Sequence, residues 1–331
     1  MKKLLRFAEA VCAGHPDRLA DAIADRITAM AVAMDADSLV GIEVAVHRDV
    51  VFVDGRIACG VEYGFIGEEH VELAVRTIYK EAGYADFPPE PSSLQLRFDL
   101  CLGPLEPDER AFRNVADDQV IGVGYACQGE RAGLVPLEQA LARDFVKALE
   151  KLRRDERAGT MGPDGKVLIA VRGRRLVAVS LSVHHSEDAE WTSLVDAVRS
   201  ACLSVADEYV ATGELEPPDE SVSWLFNGAG SFAVGGPLGD NGLSGKKLVA
   251  EAWGSAVPIG GGTIHGKDPH KPDVRSQRIA RERAVDHVRA GATEATVWVV
   301  FRPGDAEPGF VEEDVVWPDP GRLSPPSGSS V

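Results

Sequence analysis

Cysteine is scarce and unpaired. Cys12, Cys59, Cys101, Cys127 and Cys202 are scattered, odd in number, and never form a C-x-x-C pair. The cysteines indicate neither a zinc site nor a disulfide framework, so a reducing, cytoplasmic setting is expected. No apolar run approaches the ~20 residues that a membrane span requires. The opening MKKLLRFAEAV is broken by Arg6 and Glu9 and does not read as a signal peptide. Positive charge is short as well: 35 Lys and Arg face 52 Asp and Glu, a net charge of -17. Such an acidic chain lacks the electrostatic footprint of a nucleic-acid binder. A P-loop is missing too, because the first glycine before Gly245-Lys246 would fall at 240, where Asp240 stands.

What is present is an ordinary globular composition, 44% hydrophobic with a mean hydropathy of -0.08. Its 331 residues suffice for two or three domains with a large core. Residues 235–276 stand out, with ten glycines and four lysines. Glycine permits tight turns and close backbone approach. Lysine supplies a compact point charge for phosphate oxygens, and interleaved aspartates can hold a divalent metal at the same oxygens. From Lys246 to Arg289, nine Lys and Arg face five Asp and Glu, a basic island in an acidic protein. An island of that size suits a small polyphosphate.

In chain order, Gly14-His15-Pro16-Asp17 opens a helix, with Pro16 at its first position and Leu19, Ile23, Ile27 and Met30 at helical spacing. A helix N-terminus is a ready anion site, with His15 at its lip, though an ordinary polar cap reads the same way. Strands are expected at 40–47 and 50–53 around a tight turn. Glu43 in that run is either outward-facing or a buried ligand for a cation. A helix over 68–82, a strand at 94–100, a mobile polar loop over 103–117 and a strand at 118–126 follow. Next come a helix over 137–157, a hairpin at 166–171 and 175–184, a helix over 188–210 and a strand at 222–226. After the glycine-rich stretch lie a helix over 274–290 and a strand at 295–301. Hairpin, helix, strand therefore occurs twice, with a helix-strand remnant of it a third time. That order predicts an α+β fold with helices on one face of mostly antiparallel sheets. The Ser-, Pro- and Gly-rich residues 324–330 read as a disordered tail.

Four motifs then carry a resemblance. They are Gly14-His15-Pro16-Asp17-Arg18-Leu19-Ala20-Asp21, the run from Asp118-Gln119 to Gly124-Tyr125-Ala126, Gly235-Gly236-Pro237-Leu238-Gly239-Asp240 through Gly245-Lys246-Lys247, and Gly260-Gly261-Gly262 through Gly266-Lys267-Asp268-Pro269-His270-Lys271 to Asp273. Pro163-Asp164-Gly165-Lys166 adds support. In this order they resemble the S-adenosylmethionine synthetase (methionine adenosyltransferase) family. The resemblance implies three similar α+β domains of βαβ-type layers, the third truncated. Boundaries are expected at 1–125, 126–230 and 231–305, with interleaved domains and a tail over 306–331. It implies attack by the methionine sulfur on C5′ of ATP, with the tripolyphosphate expelled and then hydrolysed. It implies Mg²⁺ and K⁺ as cofactors, and a homodimer or homotetramer with sites at the subunit interface.

Carried over position by position, His15 would support the departing O5′, and Lys166, Lys247, Lys267 and Lys271 would bind phosphates. Asp17 and Asp273 would hold Mg²⁺, and Glu43 would hold K⁺. Phe232 and Asp240 would contact the nucleoside, and Asp118 would lie near methionine. Asp164, Lys246 and Thr263 complete the expected nucleotide-binding set. There are departures: Lys246-Lys247 stands for the family's Arg-Lys, Ser231-Phe232 for its Arg-Phe, and Val274 is an extra residue after Asp273. Arg56 falls where the family has a methionine-contacting glutamate, and Leu105 near its loop glutamine. Those changes predict altered recognition of methionine. A different acceptor, or an ATP-binding partner subunit without turnover, are the competing readings.

Overall fold

The computed structural model describes residues 4–59, 66–129, 131–156 and 160–318. The predicted tail at 324–330 and the helix end at Arg157 lie outside the described residues. After β1 (Leu5–Val11) come α1 (Pro16–Met34), β2 (Leu39–His47), β3 (Val50–Ala58), α2 (Glu68–Tyr79) and β4 (Gln95–Gly103). A short α3 (Pro107–Ala111) leads to β5 (Val120–Cys127), α4 (Leu137–Glu156), β6 (Met161–Arg172), β7 (Arg175–His185), α5 (Trp191–Ala211) and β8 (Ser223–Phe226). Last are β9 (Gly242–Leu243), α6 (Leu248–Glu251), α7 (Pro272–Arg289), β10 (Glu294–Phe301) and β11 (Phe310–Val316).

The strand sequences explain which face is covered. In β2, Val40, Ile42, Val44 and Val46 are buried while Glu43 and His47 are exposed. That period of two marks a strand with helices on one side only. Helices α1 and α2 pack over this side, and Leu19, Ile23 and Ile27 of α1 meet Val40, Val44, Val53 and Ile57 in one core.

The sheets repeat one plan. One has the order β4-β3-β2-β9 and another β8-β7-β6-β1. In each, an antiparallel hairpin (β2–β3, β6–β7) is followed by a helix and a strand that returns parallel to the hairpin's second strand. A fourth strand, β9 or β1, closes the antiparallel edge. Helices α4 and α5 cover the second sheet as α1 and α2 cover the first. The third sheet, β11-β10-β5, has three strands and one long covering helix, α7. Strands from residues 1–125 contribute to all three sheets, because β1 joins β6 and β5 joins β10.

Three expectations need correction. The tail expected from 306 contains β11, whose Val311 and Val315 pack on the third core beside Glu313. The run Glu312-Glu313-Asp314 hid it, yet Glu313 faces α7 and pairs with Arg283 and His287. The helix expected over 68–82 ends at Tyr79, and Lys80–Tyr84 is a wider turn with Gly83 at φ 114°. The loop over 103–117 contains α3 and is pinned at two points. Arg113, buried, donates to Ser38 O and Asp268 Oδ1, and Glu109 is bound by Arg56.

Candidate active site

Backbone pairing builds a pocket at the N-terminus of α1. Cys12 N donates to Gly165 O, and Gly14 N to Pro163 O, so the Gly-His-Pro-Asp turn is fastened to the start of β6. Tyr84 donates its hydroxyl proton to Gly14 O at 2.6 Å. Asp164, buried, accepts from Gly165 N (2.7 Å) and from Gly236 N (2.8 Å), which ties Gly-Gly-Pro to the same turn. Gly236 has φ 61°, and a Cβ there would collide with the Tyr84 hydroxyl, so glycine is required twice over. The resulting cavity of about 240 Å³ is lined by His15, Asp164, Lys166, Phe232, Gly236 and Asp240, among others. Five residues expected from the sequence therefore share one cavity.

Its electrostatics are set by burial and by lysines. His15 caps α1, and its Nδ1 accepts from Asp17 N at 3.2 Å, which leaves the ring proton on Nε2. Burial, reinforced by Lys247 and Lys166 against the pull of Asp17, pushes its pKa down to about 4. His15 is thus a neutral hydrogen-bond donor at neutral pH. Burial raises Asp164 to about 6, against the two backbone N–H groups that favour its charged form.

Asp17 is 1% exposed. Its Oδ1 accepts from Leu243 N at 3.1 Å and lies 3.4 Å from Lys246 Nζ, while its Oδ2 lies 3.2 Å from Lys247 Nζ. That Oδ2 nevertheless accepts no hydrogen bond. A buried carboxylate held between two lysines, with one oxygen ion-paired but not hydrogen-bonded, fits a site shared by a cation and phosphate oxygens. Lys166 reaches Glu9 at 2.8 Å across the β1–β6 pair.

A second cluster lies along the β2 edge. Ser244 N donates to Val44 O, Ile42 N to Gly266 O, and Gly41 bridges to Lys267. The two glycine-rich segments therefore meet the same edge of one strand, two to three residues or ~7–10 Å apart along it. Lys267 pairs with Asp273 at 2.9 Å and Lys271 with Asp117 at 2.5 Å. Gly262 presses on Asp273 so closely that a Cβ would overlap Oδ1. Glu43 sits between the clusters on the exposed face and accepts from the Ser244 hydroxyl. Of the two readings of Glu43, the outward-facing one describes its position.

Other expected residues lie apart from the His15 cavity. Thr263 packs against Gly245 and accepts from His265 N, while Asp118 is exposed and accepts from Gln119 N. Arg56 is engaged by Glu109, Cys101 O and Pro104 O, so its guanidinium is not open to a substrate carboxylate.

Several side chains escaped the sequence reading. His184 is 2% exposed, with its ring 5.0 Å from Phe87 and 5.5 Å from Phe232, and it backs the expected nucleoside contact. Asp268, fully buried, accepts from Val40 N and from Arg113, so it anchors the segment that carries Lys267. Asp21, Glu251 and His265 form a further cluster, to which Gly245 N is tied through Asp21 Oδ1. Burial lifts Asp21 to about 7. Burial works against charge on His265, yet Asp25 and Glu251 raise it to about 10. One signal was available: Asp17, Asp21 and Asp25 recur every fourth residue and so share a helix face.

Comparison with known proteins identifies the family. Residues 3–96 match the S-adenosylmethionine synthetase N-terminal domain, 113–232 the central domain and 234–316 the C-terminal domain. The chain is 30% identical to the S-adenosylmethionine synthase of Prochlorococcus marinus (strain MIT 9313), over 93% of this chain and 78% of that one. It is 31% identical to S-adenosylmethionine synthase 1 of Rhodopseudomonas palustris (strain BisB18), over 92% and 79%. For the synthase of Synechococcus sp. (strain CC9605) the identity is 29%, over 93% and 79%. With its three domains matched in order and its motifs folded into one pocket and one flanking cluster, the chain belongs to the S-adenosylmethionine synthetase family, a family of transferases.

Proposed function

We propose that the chain makes S-adenosylmethionine from ATP and methionine. The methionine sulfur attacks C5′ of ATP, the S–C bond forms as the C5′–O5′ bond breaks, and the electron pair leaves on tripolyphosphate. Tripolyphosphate is then hydrolysed to phosphate and diphosphate. The observation that carries this reading is the convergence of His15, Asp17, Lys166, Lys246 and Lys247 at one helix N-terminus. The thioether is itself the nucleophile, so the protein has to align the reactants and stabilise the leaving charge.

The residues divide that work by position. The Nε2–H of neutral His15 is the donor for O5′ as charge develops there. Lys166 and Lys247 face the phosphate chain from one side, and Lys267 and Lys271 face it from the flanking cluster. Phe232 and Asp240, at the mouth of the cavity, receive the nucleoside. Asp17 and Asp273 are the carboxylates that would hold Mg²⁺, which supplies further charge neutralisation at the phosphates. Glu43 with the Ser244 hydroxyl offers oxygen ligands suited to K⁺.

The two lysine clusters lie along β2 rather than around one cavity. This supports a homodimer or homotetramer in which one site draws on two subunits. The face that would pair carries Ala45, His47, Phe52 and Leu243, which line an open depression of about 690 Å³. Five free cysteines among the described residues suit a cytoplasmic setting. The test is direct: incubate the protein with ATP, Mg²⁺, K⁺ and methionine, and look for the sulfonium product by mass spectrometry. Absence of that product, with ATP intact, rejects the proposal.

A further inference from the structure

Asp21 is fully buried, and its two oxygens differ. Oδ1 accepts from Gly245 N at 2.7 Å, whereas Oδ2 is buried without a hydrogen-bond donor. That orphan oxygen lies 4.0 Å from His265 Nε2 and 3.8 Å from Arg18 Nη1. His265 Nε2 is 2.6 Å from Glu251 Oε2, and the other oxygen of Glu251 is taken by Arg18. On its far side, His265 Nδ1 is 2.8 Å from Asp25 Oδ2. One donor atom from each of Asp21, Glu251 and His265 falls within 4.8 Å of the others.

We propose that Asp21 Oδ2, Glu251 Oε2 and His265 Nε2 bind a divalent transition-metal ion of the zinc class. The orphan oxygen is the first reason. An unsatisfied buried acceptor costs about 1–3 kcal/mol, and a metal ion would satisfy it. The second is Asp25, which sits on Nδ1 as a carboxylate does behind a metal-bound histidine, fixing the tautomer that frees Nε2. The third is charge. Once the proton between His265 and Glu251 is released, three carboxylates and one guanidinium around the imidazole carry two negative charges, which a divalent ion cancels.

Distances and donor type narrow the ion. Tetrahedral bonds of about 2.0–2.2 Å place ligand atoms roughly 3.3–3.6 Å apart. The observed 2.6 Å and 4.0 Å separations bracket that range. One imidazole with two carboxylates favours zinc-like ions over Mg²⁺ or Ca²⁺, which take oxygen alone. A cavity of about 240 Å³, lined by Arg18, Glu251, Gly262 and His265, opens onto the cluster and leaves room for a water ligand. In the metal-free form a proton bridges His265 and Glu251, and the incoming ion displaces it to solvent.

The site is distinct from Asp17 and Asp273, and it stands whether or not the chain transfers adenosyl groups. Its ligands come from α1, the end of α6 and the loop before Lys267. An ion there would cross-link the segments that present Lys246, Lys247 and Lys267.

The test uses the full chain, stripped with a chelator and then given Zn²⁺ alone. The expected result is one zinc retained per chain through gel filtration in wild type and in Asp273→Asn, and none in His265→Gln. Asp25→Asn should weaken binding by about 10–100-fold. Far-UV circular dichroism checks that each variant is folded. The visible absorption of wild type loaded with Co²⁺ needs no variant and should report a four-coordinate ion. Failure of wild type to retain zinc, equal retention by folded His265→Gln, or displacement of zinc by equimolar Mg²⁺ or Ca²⁺ would each overturn the proposal.

Discussion

Arg56 of β3 grips Glu109 of α3 through two parallel hydrogen bonds, Nε to Oε1 and Nη2 to Oε2, each 2.8 Å. Nη1 donates to Cys101 O and Nη2 also to Pro104 O. Arg56, expected to stand where the family has a glutamate, therefore finds its carboxylate within the chain, and the loop expected to be mobile becomes a strap. Bidentate pairing raises the Arg56 pKa and lowers that of Glu109.

Arg56→Glu should then loosen the strap rather than restore a methionine contact. Two carboxylates would face each other, at a cost of about 1–2 kcal/mol for this partly buried pair. Limited proteolysis within 103–117 should accelerate, and the charge swap Arg56→Glu with Glu109→Arg should reverse most of that. A single variant as protease-resistant as wild type counts against the strap.

Lys267→Ala and Lys271→Ala should lower kcat by at least ~100-fold, as for loss of a preorganised electrostatic group, while barely moving Tm. Asp268→Ala, beside Lys267, should do the reverse. It strands the buried Arg113 and should cost about 3–5 kcal/mol of stability. Steady-state kinetics and denaturant unfolding on all three variants separate the two classes. Near-normal turnover in Lys267→Ala would remove that lysine from the site.

Asp17→Asn should raise the Mg²⁺ concentration needed for half-maximal activity without unfolding the protein. The amide oxygen can still accept from Leu243 N, so the local fold survives. Mg²⁺ binds through one or two carboxylates together with substrate phosphates, so its binding should be weak until ATP is added. Calorimetry showing tight Mg²⁺ binding to the ATP-free protein would contradict this assignment.

His184 gives stability a slope in acid. Burial pushes its pKa down to about 4, against about 6.5 in the unfolded chain. As pH falls below 6.5 the unfolded state takes up the proton first, so stability is full above 6.5 and lost between 6.5 and 4. At pH 5 the loss should be about 2 kcal/mol. His184→Gln, though less stable at pH 7, should lack this part of the slope. Denaturant unfolding at pH 7 and pH 5 decides, and equal losses in both proteins would exclude His184 as the source.

The sequence by itself determined the alternation of β2, the amphipathic spacing of α1 and the repeated hairpin, helix, strand order, because periodicity records which face is buried. It also named His15, Asp164, Lys166, Phe232 and Asp240, whose short motifs fold into one cavity. Tertiary structure alone decided where the partners lie. Arg56 and Glu109 are 53 residues apart, Arg113 and Asp268 155, and Asp25 and His265 240. No local pattern encodes such pairs, since they arise when separate units pack. The acid-rich β11 was equally illegible, because its Glu313 acquires a reason only once Arg283 and His287 of α7 stand opposite it.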